Sequence, residues 1–83
     1  MRKILKLEPD GFPYTFSDCP PGFFLSGESV CLKTEYSDEK DGKYFDRAYC
    51  DSGEAYWGGT SVLAERAKKE VQPLKVVWAE EEV

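Results

Sequence analysis

The sequence predicts a mainly β domain, α+β at the margin, built as a small antiparallel curled sheet or an SH3-like barrel of five to six short strands with one short helix. Three observations carry that prediction. From Ser29 to Tyr36, and again from Tyr44 to Cys50, apolar and polar side chains alternate with a period of two. Asp41-Gly42 lies between those stretches, a pair suited to the backbone of a tight hairpin turn. Only after Gly59 does the apolar spacing lengthen toward 3.6, over Leu63, Ala67 and Val71.

In chain order, Arg2 to Glu8 alternates as a strand, with Leu5 and Leu7 on one side and Ile4 and Lys6 on the other, and Pro9-Asp10-Gly11 stops it. Phe12 to Gly22 reads as an ordered loop whose Phe12, Tyr14 and Phe16 either cap the core, the commoner outcome, or form an exposed sticky patch. Pro20-Pro21-Gly22 then turns the chain into Phe23-Phe24-Leu25, and Gly27 marks a tight turn or bulge. In the central hairpin, Val30, Leu32, Thr34 and Tyr36 are expected to face the core together with Phe45 and Tyr49, although Arg47 sits between those two on the apolar side. Ser29, Cys31, Lys33 and Glu35 then face water. That parity brings Lys33 near Asp46, whereas the other sets it against Arg47, and like charges directly opposed disfavour the second. Asp38 to Lys43 forms a polar loop, and after Ser52-Gly53 the segment Glu54 to Trp57 reads as one more short strand, ended by Gly58-Gly59. Thr60 or Ser61 caps a helix of two to three turns that Gln72-Pro73 ends. Leu74, Val76 and Trp78 form the apolar face of a last strand, and residues 80–83 read as a frayed acidic tail.

At 83 residues the chain is one domain, residues 1–83, because a second core would bury too little surface to offset its chain entropy. With 41% hydrophobic and 14% aromatic residues it is too apolar for a disordered chain. A homo-oligomer is one way for so small a core to gain stability. The net charge of −5 disfavours direct nucleic acid and anionic membrane as partners, since both are held by Lys and Arg on phosphate. No apolar run reaches bilayer length, and Met1-Arg2-Lys3 leads into an alternating strand, so a cytoplasmic location is expected. Cys19, Cys31 and Cys50 are odd in number and lack a CxxC spacing. They read as small apolar side chains in a reduced compartment, with Cys31 facing Cys50 across the hairpin as the alternative.

Several chemistries lack their residues. Without histidine the usual general base and the commonest metal ligand are missing. The three cysteines are too widely spaced for structural zinc. Asp38-Glu39-Lys40-Asp41-Gly42 lacks the ligand spacing of a calcium loop, and Gly58-Gly59-Thr60-Ser61 is better explained by helix capping than by an anion site. Glu28, Glu35, Asp46, Asp51 and Glu54 read as acids on a wet sheet face rather than as a catalytic pair. No enzyme activity, cofactor or metal is therefore expected.

Recognition is what remains. Lys33, Glu35, Tyr44, Arg47, Glu54 and Tyr56 combine amphipathic aromatics with charge in a short span, the composition of interface hot spots, and are the candidate partner-binding residues. Tyr44 and Tyr56 are expected to be exposed, and Trp57 and Trp78 to fill the core. A protein partner would be met by a continuous acidic face. A small anionic or nucleotide-like ligand, held between subunits, would be met by Arg47 or Lys33 beside a stacking aromatic.

Pro20-Pro21-Gly22-Phe23-Phe24-Leu25, Cys31-Leu32-Lys33-Thr34-Glu35-Tyr36, Ala48-Tyr49-Cys50 with Ser52-Gly53-Glu54, Trp57-Gly58-Gly59 and Val71-Gln72-Pro73-Leu74 together resemble short accessory proteins of tailed bacteriophages. The resemblance spans most of the chain. It implies a viral accessory protein that acts in the host cytoplasm, where small folded proteins often bind and inhibit host machinery, and it carries over no established activity, cofactor or catalytic residue.

Overall fold

The computed structural model describes residues 2–81. Its elements are β1 (Arg2–Pro9), β2 (Tyr14–Thr15), β3 (Gly22–Ser26), β4 (Ser29–Lys40), β5 (Lys43–Cys50), α1 (Leu63–Ala67) and β6 (Glu70–Glu81). All strand pairings are antiparallel, in the order β1-β6-β3-β4-β5, with β2 also beside β6. Among the described residues no pairing joins β1 to β5, so the sheet is open rather than closed into a barrel.

The central hairpin closes at Asp41-Gly42, whose φ angles of 53° and 77° are what a two-residue turn between twisted strands requires. Because two residues suffice, the polar loop expected from Asp38 is strand instead, with Ser37, Asp38 and Glu39 paired to Asp46, Phe45 and Tyr44. Arg47 reinforces this end with an ion pair to Asp38, Nε–Oδ2 3.0 Å.

The inner face of β4 is the reverse of the sequence expectation. Cys31 and Lys33 point inward, opposite Cys50 and Ala48, while Leu32 and Tyr36 are 38% and 69% exposed. The reason lies in what Lys33 finds inside. Its Nζ donates to the carbonyls of Phe16 (2.7 Å), Ser17 (3.1 Å) and Cys19 (2.6 Å) and lies 3.4 Å from Asp46 Oδ2. An ammonium that would cost several kcal/mol if buried alone is thus fully coordinated and fixes the loop that leads into β3. The expected nearness of Lys33 to Asp46 holds, through a bulge between Lys33 and Ser37 that shifts the register.

Around this lysine the core is an aromatic triad, Phe16, Phe24 and Tyr56, with ring centroids 5.6, 5.1 and 5.1 Å apart. Cys19, Cys31, Ala48 and Val71 complete it. Of the three loop aromatics only Phe16 is core; Tyr14 sits half out in β2 and Phe12 is 84% exposed.

The helix is shorter than its periodicity predicts. Thr60 shapes the entry, its Oγ1 accepting the Val62 N–H (3.1 Å) and donating to Glu65 (2.9 Å), but after Ala67 the chain returns to strand because Val71 pairs with Tyr14. Pro73, expected to end the helix, instead lies inside β6, where that strand passes from β3 (Phe24↔Pro73) to β1 (Pro9↔Leu74). The strand expected over Glu54 to Trp57 is reduced to a single bridge, Tyr49↔Ala55.

Beyond that hand-over β1 and β6 run as a two-stranded arm on a molecule measuring 53 × 23 × 20 Å. Trp78, expected in the core, is 69% exposed on the arm, because among the described residues no third strand covers it. Of the tail expected to fray, Glu80 and Glu81 pair with Lys3 and Arg2; Glu82 and Val83 lie outside the described residues. No described helix is long and apolar enough to cross a membrane.

Candidate functional site

A groove of ≈ 550 Å³ opens between the β4–β5 turn and the start of α1. Its back wall is Arg66, 4% exposed, which α1 carries into the aromatic core. The guanidinium lies 4.6 Å from the Phe16 ring centroid and 5.5 Å from those of Phe45 and Trp57. It donates to the carbonyl oxygens of Tyr56 (3.3 Å) and Asp46. Burial lowers its pKa, against the pull of Asp46, yet an arginine starts so high that it stays charged. The ammonium of Lys33 lies 4.9 Å from the Phe16 ring centroid, so this ring meets two cations.

The hairpin turn supplies the rim: Lys40 and Lys43 with Tyr44, which is 77% exposed. Further along the same ribbon, the Arg47–Asp38 pair stands in solvent. The hydrogen bond from Arg47 holds the Asp38 carboxyl below its ordinary value, and Asp38 in turn raises Arg47.

The six sequence candidates divide. Glu35, Tyr44, Arg47 and Glu54 are exposed, and Tyr44 lines the groove. Glu54 does not join it, since its carbonyl accepts the N–H of Cys50 at the far end of β5. Lys33 and Tyr56 are core residues, not contact surface. Lys33 is taken up by three carbonyls, and Tyr56, 3% exposed, packs on Phe16 and Phe24 with its Oη 2.9 Å from Ser26 Oγ. Lys40, Lys43 and Arg66 were missed. Arg66 had one legible sign, its place three residues after Leu63 on the apolar stripe of the helix.

A second apolar surface crosses the outer face of the sheet, where Phe23, Leu32 and Tyr49 lie side by side on β3, β4 and β5 around a hollow of ≈ 260 Å³. On the inner face Cys31 and Cys50 are cross-strand neighbours, and all three thiols are free. Burial, then the neighbouring Cys50, pushes the Cys31 pKa up to about 12, and burial raises Cys19 despite the nearby Lys33. Thiols held protonated are poor nucleophiles.

No family model, curated protein or solved structure matches this chain. The groove offers an aromatic floor of Phe16, Tyr44 and Phe45, the buried Arg66 behind it, and Lys40 and Lys43 with the carboxylates of Asp41 and Asp46 in its lining.

Proposed function

We propose that this chain is a non-catalytic binding protein, an accessory protein of the tailed-phage type that holds and inhibits a host protein. One observation carries the reading. Among the described residues twelve large apolar side chains are exposed, against seven hydrophobic residues in the core. Apolar side chains displayed in groups, rather than scattered, mark surfaces that meet other molecules. The groove gives the contact its chemistry, with Tyr44 and Phe45 to receive an apolar side chain and Lys40 and Lys43 to meet a carboxylate on the partner.

A second reading has its own support. Basic side chains beside an aromatic floor suit a small anionic or nucleotide-like ligand, taken within one chain by Lys40 and Lys43 rather than between subunits by Lys33 or Arg47. Native mass spectrometry of the purified protein separates the two, since one retains a protein and the other a small molecule. The Tyr44→Ala/Lys43→Glu variant is expected to lose the retained species with an unchanged melting midpoint. Equal retention by variant and wild type would remove the groove from both readings.

A further inference from the structure

Among the described residues one edge of β1 has no partner from Arg2 to Pro9, a row of backbone groups open to another strand. On one face of the arm Leu5, Leu7, Val76 and Trp78 are 61%, 40%, 47% and 69% exposed, and a two-stranded ribbon by itself is marginal in water. The outer edge of β6 is occupied by β3 only at Gln72 and Pro73, so the choice between the two edges of the arm falls to the charge register of β1.

We propose that β1 pairs with β1 of a second copy of this chain, antiparallel about a two-fold axis at Leu5, making one four-stranded sheet across a dimer. Symmetry leaves few registers. A two-fold axis normal to a sheet sets one residue of the strand against its own counterpart. An axis at Lys3, Lys6 or Glu8 opposes like charges, and an axis at Ile4 opposes Arg2 to Lys6. An axis at Leu7 runs the pairing into Pro9, which has no N–H to give. The axis at Leu5 pairs all seven residues from Arg2 to Glu8 and sets Arg2 against Glu8 of the second copy.

The charges then match across the whole sheet. Within each arm Arg2 opposes Glu81, with Nε–Oε2 3.1 Å, and Glu8 opposes Lys75. Joined at the axis, these become a row of Glu81, Arg2, Glu8 and Lys75 that alternates in sign at every step. On the other face Trp78 and Leu5 of one copy meet Leu5 and Trp78 of the next in an apolar row. Lys3, flanking that row, keeps Glu80 as its neighbour.

Sedimentation of the wild-type chain is expected to show a dimer, weakened at least about tenfold by Leu5→Lys, which puts two ammonium groups at the axis. Under mild oxidant the Leu5→Cys variant is expected to link into a covalent dimer, joined at position 5 by peptide mapping. Lys3→Cys and Leu7→Cys variants are expected to link only when mixed with each other. A monomer at every concentration overturns the proposal. So does a dimer that Trp78→Cys links and Leu5→Cys does not, since that result assigns the interface to the edge of β6.

Discussion

Lys33 shows how a charged residue organises a small core. Four oxygens surround its ammonium, three of them backbone carbonyls of the loop before β3, so removing the cation strands the buried carbonyls of Phe16 and Cys19. Lys33→Ala is expected to cost roughly 3 kcal/mol, on the order of 15 °C in melting midpoint, read by thermal denaturation. Cys31 makes a prediction of the opposite kind. Its pKa rises from 9.0 to about 12 in the folded chain, so above 9.0 the unfolded state sheds this proton first. The contribution of Cys31 to stability is therefore constant below pH 9.0 and falls as pH climbs toward 12. Chemical denaturation across that window is expected to show a shallower decline for Cys31→Ala than for wild type. The neighbours were legible in the sequence, Asp46 for Lys33 and Cys50 as an alternative for Cys31, but their burial was not, because alternation gives a period of two without saying which face is dry. Here the dry face of β4 carries Cys31 and Lys33, while Leu32 and Tyr36, the residues that look like core, stand outside.

At the scale of elements, what could be read was whatever local chemistry decides. Asp41-Gly42 placed the turn, Leu5 and Leu7 shared a face as their spacing requires, and Gly27-Glu28 closed β3 onto β4. What could not be read was whatever tertiary pairing decides, such as Pro73 lying within a strand because β6 changes partners there. The five-residue helix is too short to persist unaided, so its position depends on Arg66 reaching two carbonyls at once. Arg66→Lys keeps the charge but not the fork, and is expected to destabilise the fold by about 2 kcal/mol in urea titration. Gly58 is a second fixed point before the helix. Its φ is 67°, and a Cβ there would lie 2.9 Å from Tyr56 Oη and 3.0 Å from Lys69 Cγ. Gly58→Ala is expected to lower stability by about 1–3 kcal/mol, because both the backbone angle and the packing of Tyr56 oppose it.

For the whole molecule, an aromatic core pinned by two buried cations leaves much of the apolar sequence on the surface, along the arm, across the outer sheet face and around the groove. The candidate site was legible only in part for the same reason. Tyr44 and Arg47 fall on opposite faces of an alternating ribbon and are nonetheless both exposed, while Lys33 and Tyr56 are held inside by loops that the ribbon pattern does not encode. The most direct measurement compares Lys33→Ala with Tyr44→Ala in one experiment, recording thermal midpoint and retained partner for each. Tyr44→Ala is expected to melt with wild type and release the partner, whereas Lys33→Ala melts well below it. A Tyr44→Ala protein that keeps its partner, or a Lys33→Ala protein as stable as wild type, contradicts the division between a cation-pinned core and an aromatic binding surface.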